Sequence, residues 1–267
     1  MTGVQTCALP ICAKEVAVHF QGRIQSLDKK LNSFTSLNEL AVQEAEQIDV
    51  RIAKGENVGV LAGVPFGIKE MFCTKGLKTT AGSKILENFV PPYDATVVDR
   101  LKKAGIVVMG KLNQDEFAMG SSNETSFAGP VKNPWNLDCV PGGSSGGSAA
   151  AQAARLVVGT LGTDTGGSIR QPASFCGIVG VKPTYGRVSR YGIIAYASSL
   201  DQAGPMVSSV KDAALTMEVI SGHDERDATT SLKAVPAWNK NLSDNMKGMK
   251  IGIMKEFMAD GDRKSVV

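Results

Sequence analysis

Apolar residues recur at Val16, Phe20, Ile24, Leu27 and Leu31. Steps of three and four positions mark one face of a helix, predicted over Ala13–Leu31. Phe34–Leu37 is predicted as a short strand, and Glu39–Lys54 as a second helix stopped by Gly55. The apolar run Leu61–Ile68 predicts a buried strand over Gly63–Ile68 that leads to Lys69. Thr79–Ser83 is a polar loop. Ala95–Ala104 is a helix stopped by Gly105, and Ile106–Met109 is an apolar strand. Asn113–Asn133 is polar and long for a connection, a length that is often functional. Ser148 is placed to cap a helix over Ala149–Arg155, followed by a strand over Leu156–Leu161. Gly177–Lys182 reads as another buried strand, Asp201–Pro205 as a turn, and Val210–Ile220 as an amphipathic helix stopped by Gly222. Gly222–Asn245 is polar, and Lys250–Met254 begins a last strand. Strands alternating with helices predict an α/β layered core.

The 267 residues are 43% hydrophobic and 21% charged, values typical of an ordinary globular chain. A net charge of +3 is too weak to argue for nucleic-acid binding. No apolar run approaches the ~20 residues of a membrane-spanning helix. Cys7, Cys12, Cys73, Cys139 and Cys176 form no metal-ligand spacing and read as reduced thiols. Cys176 follows a Gly/Ser turn, but its neighbours Phe175 and Ile178 mark it as a buried structural thiol.

Two Gly/Ser turns bracket an Ala-rich run: Pro141-Gly-Gly-Ser-Ser-Gly-Gly-Ser148 and Gly162-Thr-Asp-Thr-Gly-Gly-Ser-Ile-Arg-Gln-Pro172. Three readings fit them. A flexible linker is usually longer and lacks apolar flanks. A phosphate loop needs a lysine before its final Ser/Thr, which neither turn has. A nucleophilic serine with an oxyanion hole of backbone N–H groups needs turns of this kind. Gly142-Gly-Ser-Ser-Gly146 fits a G-x-S-x-G elbow literally, but no strand precedes it and only His223 follows. The other histidine is His19. A serine nucleophile here calls for a base other than histidine, and a lysine held neutral by burial can serve. Lys69, at the end of an apolar run, is either that base or a lysine reaching to solvent from a strand end.

Gly63-Val-Pro-Phe-Gly-Ile-Lys69, Gly142-Gly-Ser-Ser-Gly-Gly-Ser148 and Asp164-Thr-Gly-Gly-Ser-Ile-Arg-Gln-Pro-Ala173 resemble, in order and spacing, the signature of the amidase signature family. The blocks Met119–Gly129, Lys182–Gly192 and Ala197–Pro205 are similar to its branch of glutamyl-tRNA(Gln)/aspartyl-tRNA(Asn) amidotransferase A subunits. The likeness runs from about Ala13 to about Asp260. It implies an α/β amidase-signature fold: one domain with a mixed central β-sheet flanked by helices on both faces. It implies Ser168 as nucleophile, Ser144 as the bridging hydroxyl, and Lys69 as the base. The N–H groups of Thr165, Gly166, Gly167 and Ser168 would form the oxyanion hole. It implies a cis Gly143–Ser144 peptide, and it puts Met119 and Gly120 at the pocket. Asp164 and Arg170 are expected to hold the second turn rather than react.

The branch implies a glutamine amidase that supplies ammonia for transamidation of misacylated Glu-tRNA(Gln) or Asp-tRNA(Asn). The expected setting is the bacterial cytoplasm or an organellar matrix. Partners would be B and C subunits, with tRNA held mainly by B, and no membrane. This chain would need no metal or cofactor; ATP and Mg²⁺ would act at the B subunit. The alternative is a stand-alone amidase for small carboxamides. Residues 1–11 and 262–267 read as translated sequencing-adapter ends, with residues 12–261 as the amidase domain, truncated in its C-terminal part. The glutamine-recognition residues are expected in that missing part, and the 267-residue chain alone is expected to be inactive.

Overall fold

A computed structural model describes residues 11–243, 245–250 and 252. Its frame is a six-stranded mixed sheet in the order β1-β3-β2-β4-β6-β5. The strands are β1 (Phe34–Leu37), β2 (Pro65–Lys69), β3 (Val107–Leu112), β4 (Gly159–Asp164), β5 (Val179–Gly180) and β6 (Gln202–Val207). β3, β2 and β4 run parallel; β1, β6 and β5 pair antiparallel to their neighbours. The helices are α1 (Ala13–Leu31), α2 (Ala41–Ala53), α3 (Thr96–Lys103), α4 (Gly146–Ala153), α5 (Arg170–Cys176) and α6 (Val210–Ile220).

Side chains alternate across a strand, so neighbouring residues of β3 serve opposite layers. Val108 joins Phe66, Ile68, Leu101 of α3 and Ile220 of α6 in one core. Val107 and Met109 join Ile24 of α1 and Ile48 of α2 in the other. The expected mixed sheet with helices on both faces is therefore present. Among the described residues, no helix is long and apolar enough to cross a membrane.

The two-faced helices are the most legible elements. α1 and α6 have the predicted bounds, and α2 and α3 differ only at their ends. The Gly/Ser-rich centre differs more. α4 begins at Gly146, so Ser148 is not its cap but a residue inside it, whose hydroxyl donates to the Leu161 carbonyl at 2.9 Å. Glycine is a poor helix former, yet a Cβ on Gly146 would lie 2.6 Å from the Asn123 side chain, so close packing governs here. The predicted strand Leu156–Leu161 is displaced to Gly159–Asp164. Leu156 N–H closes the end of α4 on the Ala151 carbonyl, and Leu156 and Val157 fill the second core instead.

Asp201–Pro205, predicted as a turn, is largely strand β6, fully buried between β4 and β5. Gly204 and Pro205 give the turn signal. A Cβ at Gly204 would collide with the Val181 carbonyl, so glycine is there to admit a neighbouring backbone. Pro205 is tolerated because β5 pairs only with Val207 and Met206. β5 itself is two half-buried residues, not the buried strand expected over Gly177–Lys182, because Gly177 (φ +66°) closes α5. β3 runs past the predicted Met109 to Leu112. The predicted strand over Lys250–Met254 falls mostly outside the described residues, as do the adapter-like ends apart from Ile11.

Candidate active site

Parallel strands β2 and β4 lie side by side, and their C-terminal ends deliver Lys69 and Asp164 to one edge of the sheet. Open α/β sheets bind ligands at that edge. Lys69 pairs in register with Leu112, a residue of the α1–α2 core, which puts its side chain on the α4 side of the sheet. It is fully buried. Its amine lies 2.8 Å from Ser144 Oγ, 2.9 Å from Ser145 Oγ and 2.7 Å from Thr163 Oγ1. Burial lowers its pKa from the ordinary 10.5 to about 7, against the pull of the Asp115, Asp164 and Asp201 carboxylates towards the charged form. A lysine at about 7 is substantially neutral at physiological pH. The question of reach to solvent is thereby answered: this side chain turns inward.

Ser144 follows the cis Gly143–Ser144 peptide, as the resemblance implies. Ser145 N–H donates to the Ser168 carbonyl at 3.2 Å, which ties the first turn to the second. Ser168 is half-buried, and its hydroxyl makes no hydrogen bond to Ser144 among the described residues. Catalytic hydrogen bonds often tighten only with substrate in place. Among the four expected oxyanion donors, Gly167 N–H is engaged with Asp164 Oδ1 at 2.8 Å. Those of Thr165, Gly166 and Ser168 take no such partner among the described residues.

Asp164 is the anchor of this turn. It accepts from Gly167, Ile169 and Arg170 N–H groups and from two guanidinium nitrogens of Arg170, each at 3.0 Å. Burial pushes its carboxyl up, but the Arg170 pair and the three N–H groups hold it below the ordinary value. Both residues therefore have the structural role expected of them. Thr165 Oγ1 donates to Asp201, whose carboxylate also takes the Tyr196 and Ala197 N–H groups. Asp201 also lines a cleft of about 200 Å³ with Arg190, Tyr191 and Ser198.

The polar stretch predicted as a functional loop packs onto the first turn. Asp115 N–H donates to the Ser144 carbonyl at 3.3 Å, and its carboxylate takes Asn123 N–H at 2.9 Å and Thr125 Oγ1 at 2.9 Å. Gly120 lies against the Asp115 carboxylate; Met119 is 59% exposed beside it. Neither His19 nor His223 reaches these serines: His19 is exposed on α1, and His223 meets Thr230 at 3.0 Å. Cys176 is buried and its thiol is pushed up to about 12 by burial, as suits an inert thiol. Cys12, Cys73, Cys139 and Cys176 carry free thiols.

Three buried polar residues have no clear signal in the sequence. Ser145 and Thr163 complete the ring around Lys69; hydroxyls carry no periodic signal, although Thr163 directly precedes Asp164 on its strand. Lys111 is a second fully buried lysine. It projects to the opposite face, hydrogen-bonding the Phe72 carbonyl and, at 3.0 Å each, Thr74 Oγ1 and Thr79 Oγ1. Burial lowers it to about 8. Its signal is weaker than that of Lys69, because the apolar run Ile106–Met109 breaks at Gly110 before the lysine.

The Amidase family model matches residues 15–266. The A subunit of glutamyl-tRNA(Gln) amidotransferase from Bdellovibrio bacteriovorus is 81% identical over 248 residues, covering 93% of this chain and 51% of that protein. Its namesake from Coxiella burnetii is 56% identical over 257 residues, covering 96% of this chain and 53% of that protein. The chain thus spans about half the length of the curated relatives it matches. Among solved structures, the A subunit of glutamyl-tRNA(Gln) amidotransferase from Thermotoga maritima is 51% identical with a TM-score of 0.75, over 84% of this chain and 47% of that one. Native peptide amidase from Stenotrophomonas maltophilia is 38% identical with a TM-score of 0.81, over 86% of this chain and 49% of that one. The chain belongs to the amidase family.

Proposed function

We propose that this chain carries the amidase centre of a glutamine-hydrolysing A subunit in a tRNA-dependent amidotransferase. The observation that carries the reading is the buried Lys69 amine ringed by Ser144, Ser145 and Thr163. The identity of 81% to a protein of that kind favours glutamine over a small free carboxamide.

Ser168 Oγ attacks the side-chain carboxamide carbon of glutamine. Its proton passes to Ser144 Oγ as the Ser144 proton moves to neutral Lys69 Nζ. The oxyanion that forms is held by the N–H groups of Thr165, Gly166 and Ser168, with Gly167 giving the turn its shape through Asp164. One good donor of this type is worth ~3 kcal/mol of barrier. Collapse of the tetrahedral intermediate returns the proton through Ser144 to the leaving nitrogen and releases ammonia. Water then clears the acyl-enzyme as glutamate. Ammonia passes to a B subunit, which holds ATP, Mg²⁺ and the misacylated tRNA, with a C subunit joining the two. The setting is the cytoplasm of a bacterium or an organellar matrix.

The test uses the full-length protein with its B and C partners. Ammonia release from glutamine is measured for wild type and Ser168→Ala. Release that requires the B partner and is lost in the variant supports the reading. Activity retained by Ser168→Ala contradicts the nucleophile, and activity on simple amides without partners favours a stand-alone amidase.

A further inference from the structure

Gln171 stands outside the acid–base chemistry, yet it touches three segments that must agree. Its backbone N–H donates to the Gly167 carbonyl at 2.8 Å and starts α5, three residues after Ser168. Its Oε1 accepts the Gly143 N–H at 2.9 Å, in the residue just before Ser144. Its Nε2 donates to the Ser121 carbonyl at 2.9 Å, in the loop that Asp115 organises. One carboxamide thus bridges the Ser144 turn, the Ser168 turn and the 119–125 loop. The fit is close: a Cβ on Gly142 would lie 2.6 Å from Gln171 Oε1.

Ser144 and Ser168 share no direct hydrogen bond, so their separation is set by what ties the turns together. Ser145 is one tie, on the buried side, through its N–H to the Ser168 carbonyl and its hydroxyl to the Thr163 N–H and carbonyl. The Gln171 carboxamide to Gly143 N–H is the other, towards the surface. With only the first, the two turns can pivot about it. A displacement of ~1 Å between reacting groups costs about a hundredfold in rate.

We propose that Gln171 is a positioning residue, whose side-chain carbonyl holds Gly143 and thereby sets the approach of Ser144 to Ser168. The inference rests on Ser168 being the nucleophile. It concerns the Oε1 acceptor and not the Nε2 donor, which separates the effects of two variants. Gln171→Glu keeps an acceptor for Gly143 N–H and loses the donor to Ser121. Gln171→Met keeps the length and loses both.

The experiment uses the full-length protein and two readouts: the rate at which a fluorophosphonate labels Ser168, and glutamine turnover with the partner subunits. Gln171→Met is expected to slow labelling and kcat by about tenfold to a hundredfold with KM within about twofold of wild type, whereas Gln171→Glu recovers most of the rate. Labelling as fast in Gln171→Met as in wild type overturns the inference. So does a change confined to KM, which would make Gln171 a substrate contact. If Gln171→Met does not fold, Gln171→Glu decides: a folded protein that labels slowly contradicts the acceptor role. Wild type that is not labelled at Ser168 overturns the nucleophile reading, and this inference with it; wild type labelled at Ser168 but inactive on glutamine overturns only the substrate.

Discussion

Lys69 and Lys111 are both fully buried, on neighbouring strands and opposite faces of one sheet. Burial lowers both, to about 7 and about 8. Only Lys69 is surrounded by hydroxyls at the edge where the two serine turns meet. Its neutral fraction grows as pH rises through about 7, so kcat/KM for glutamine should climb about tenfold per unit below pH 7 and level off above it. A profile flat from pH 5 to 8 would contradict a lysine base. Lys69→Arg should be inactive, because a guanidinium stays charged. The same shift acts on stability. The folded pKa of about 7 lies below the ordinary 10.5, so the unfolded chain binds the proton more tightly between those values. The Lys69 contribution to stability is therefore lowest below about pH 7 and rises as pH increases towards 10.5. Lys69→Met should flatten that rise between pH 7 and 9 by about 2 kcal/mol in urea titrations; an unchanged slope would show that Lys69 is not so perturbed.

At the scale of elements, the two turns are held by buried acceptors and by closely packed glycines. The Asp164 side chain is fully buried whereas that of Arg170 is 55% exposed, so the two halves of the pair are not equivalent. Asp164→Ala strands three backbone N–H groups and should cost roughly 3–5 kcal/mol. Arg170→Gln should cost under about 1 kcal/mol, since water screens a half-exposed pair. Equal losses in thermal melts would contradict this division. Gly143→Ala would drive a methyl into the Asp115 carboxylate and disturb the backbone before Ser144. Overpacking of this kind costs roughly 1–3 kcal/mol. Its expected signature is a large loss of Ser168 labelling at a modest loss of melting temperature.

Legibility follows the physics of each element. α1 and α6 can be read to the residue because an apolar face and a clear end define them. β4 and β6 cannot, because glycines serve there for close approach rather than for turning, and Pro205 is a strand residue tolerated beside the short β5. Lys69 is legible from its apolar run. Lys111 is not, because the apolar run of β3 breaks at Gly110, one residue before it. The resemblance supplies the triad; the environment of Lys69 and the contacts of Asp115, Asp201 and Gln171 come only from the fold.

For the whole molecule, the parallel strands β3, β2 and β4 form a frame whose one edge collects the lysine and both serine turns. Helices on both faces bury that frame, and the burial that stabilises it also lowers Lys69. Fold and basicity are thus one property of the sheet. The most direct measurement is rapid-quench peptide mass spectrometry on the full-length protein turning over glutamine with its partner subunits. The account predicts a γ-glutamyl ester on the peptide carrying Ser168, absent in Ser168→Ala and in Lys69→Met. Turnover with the acyl group on another residue, or with no acyl group at all, would contradict it.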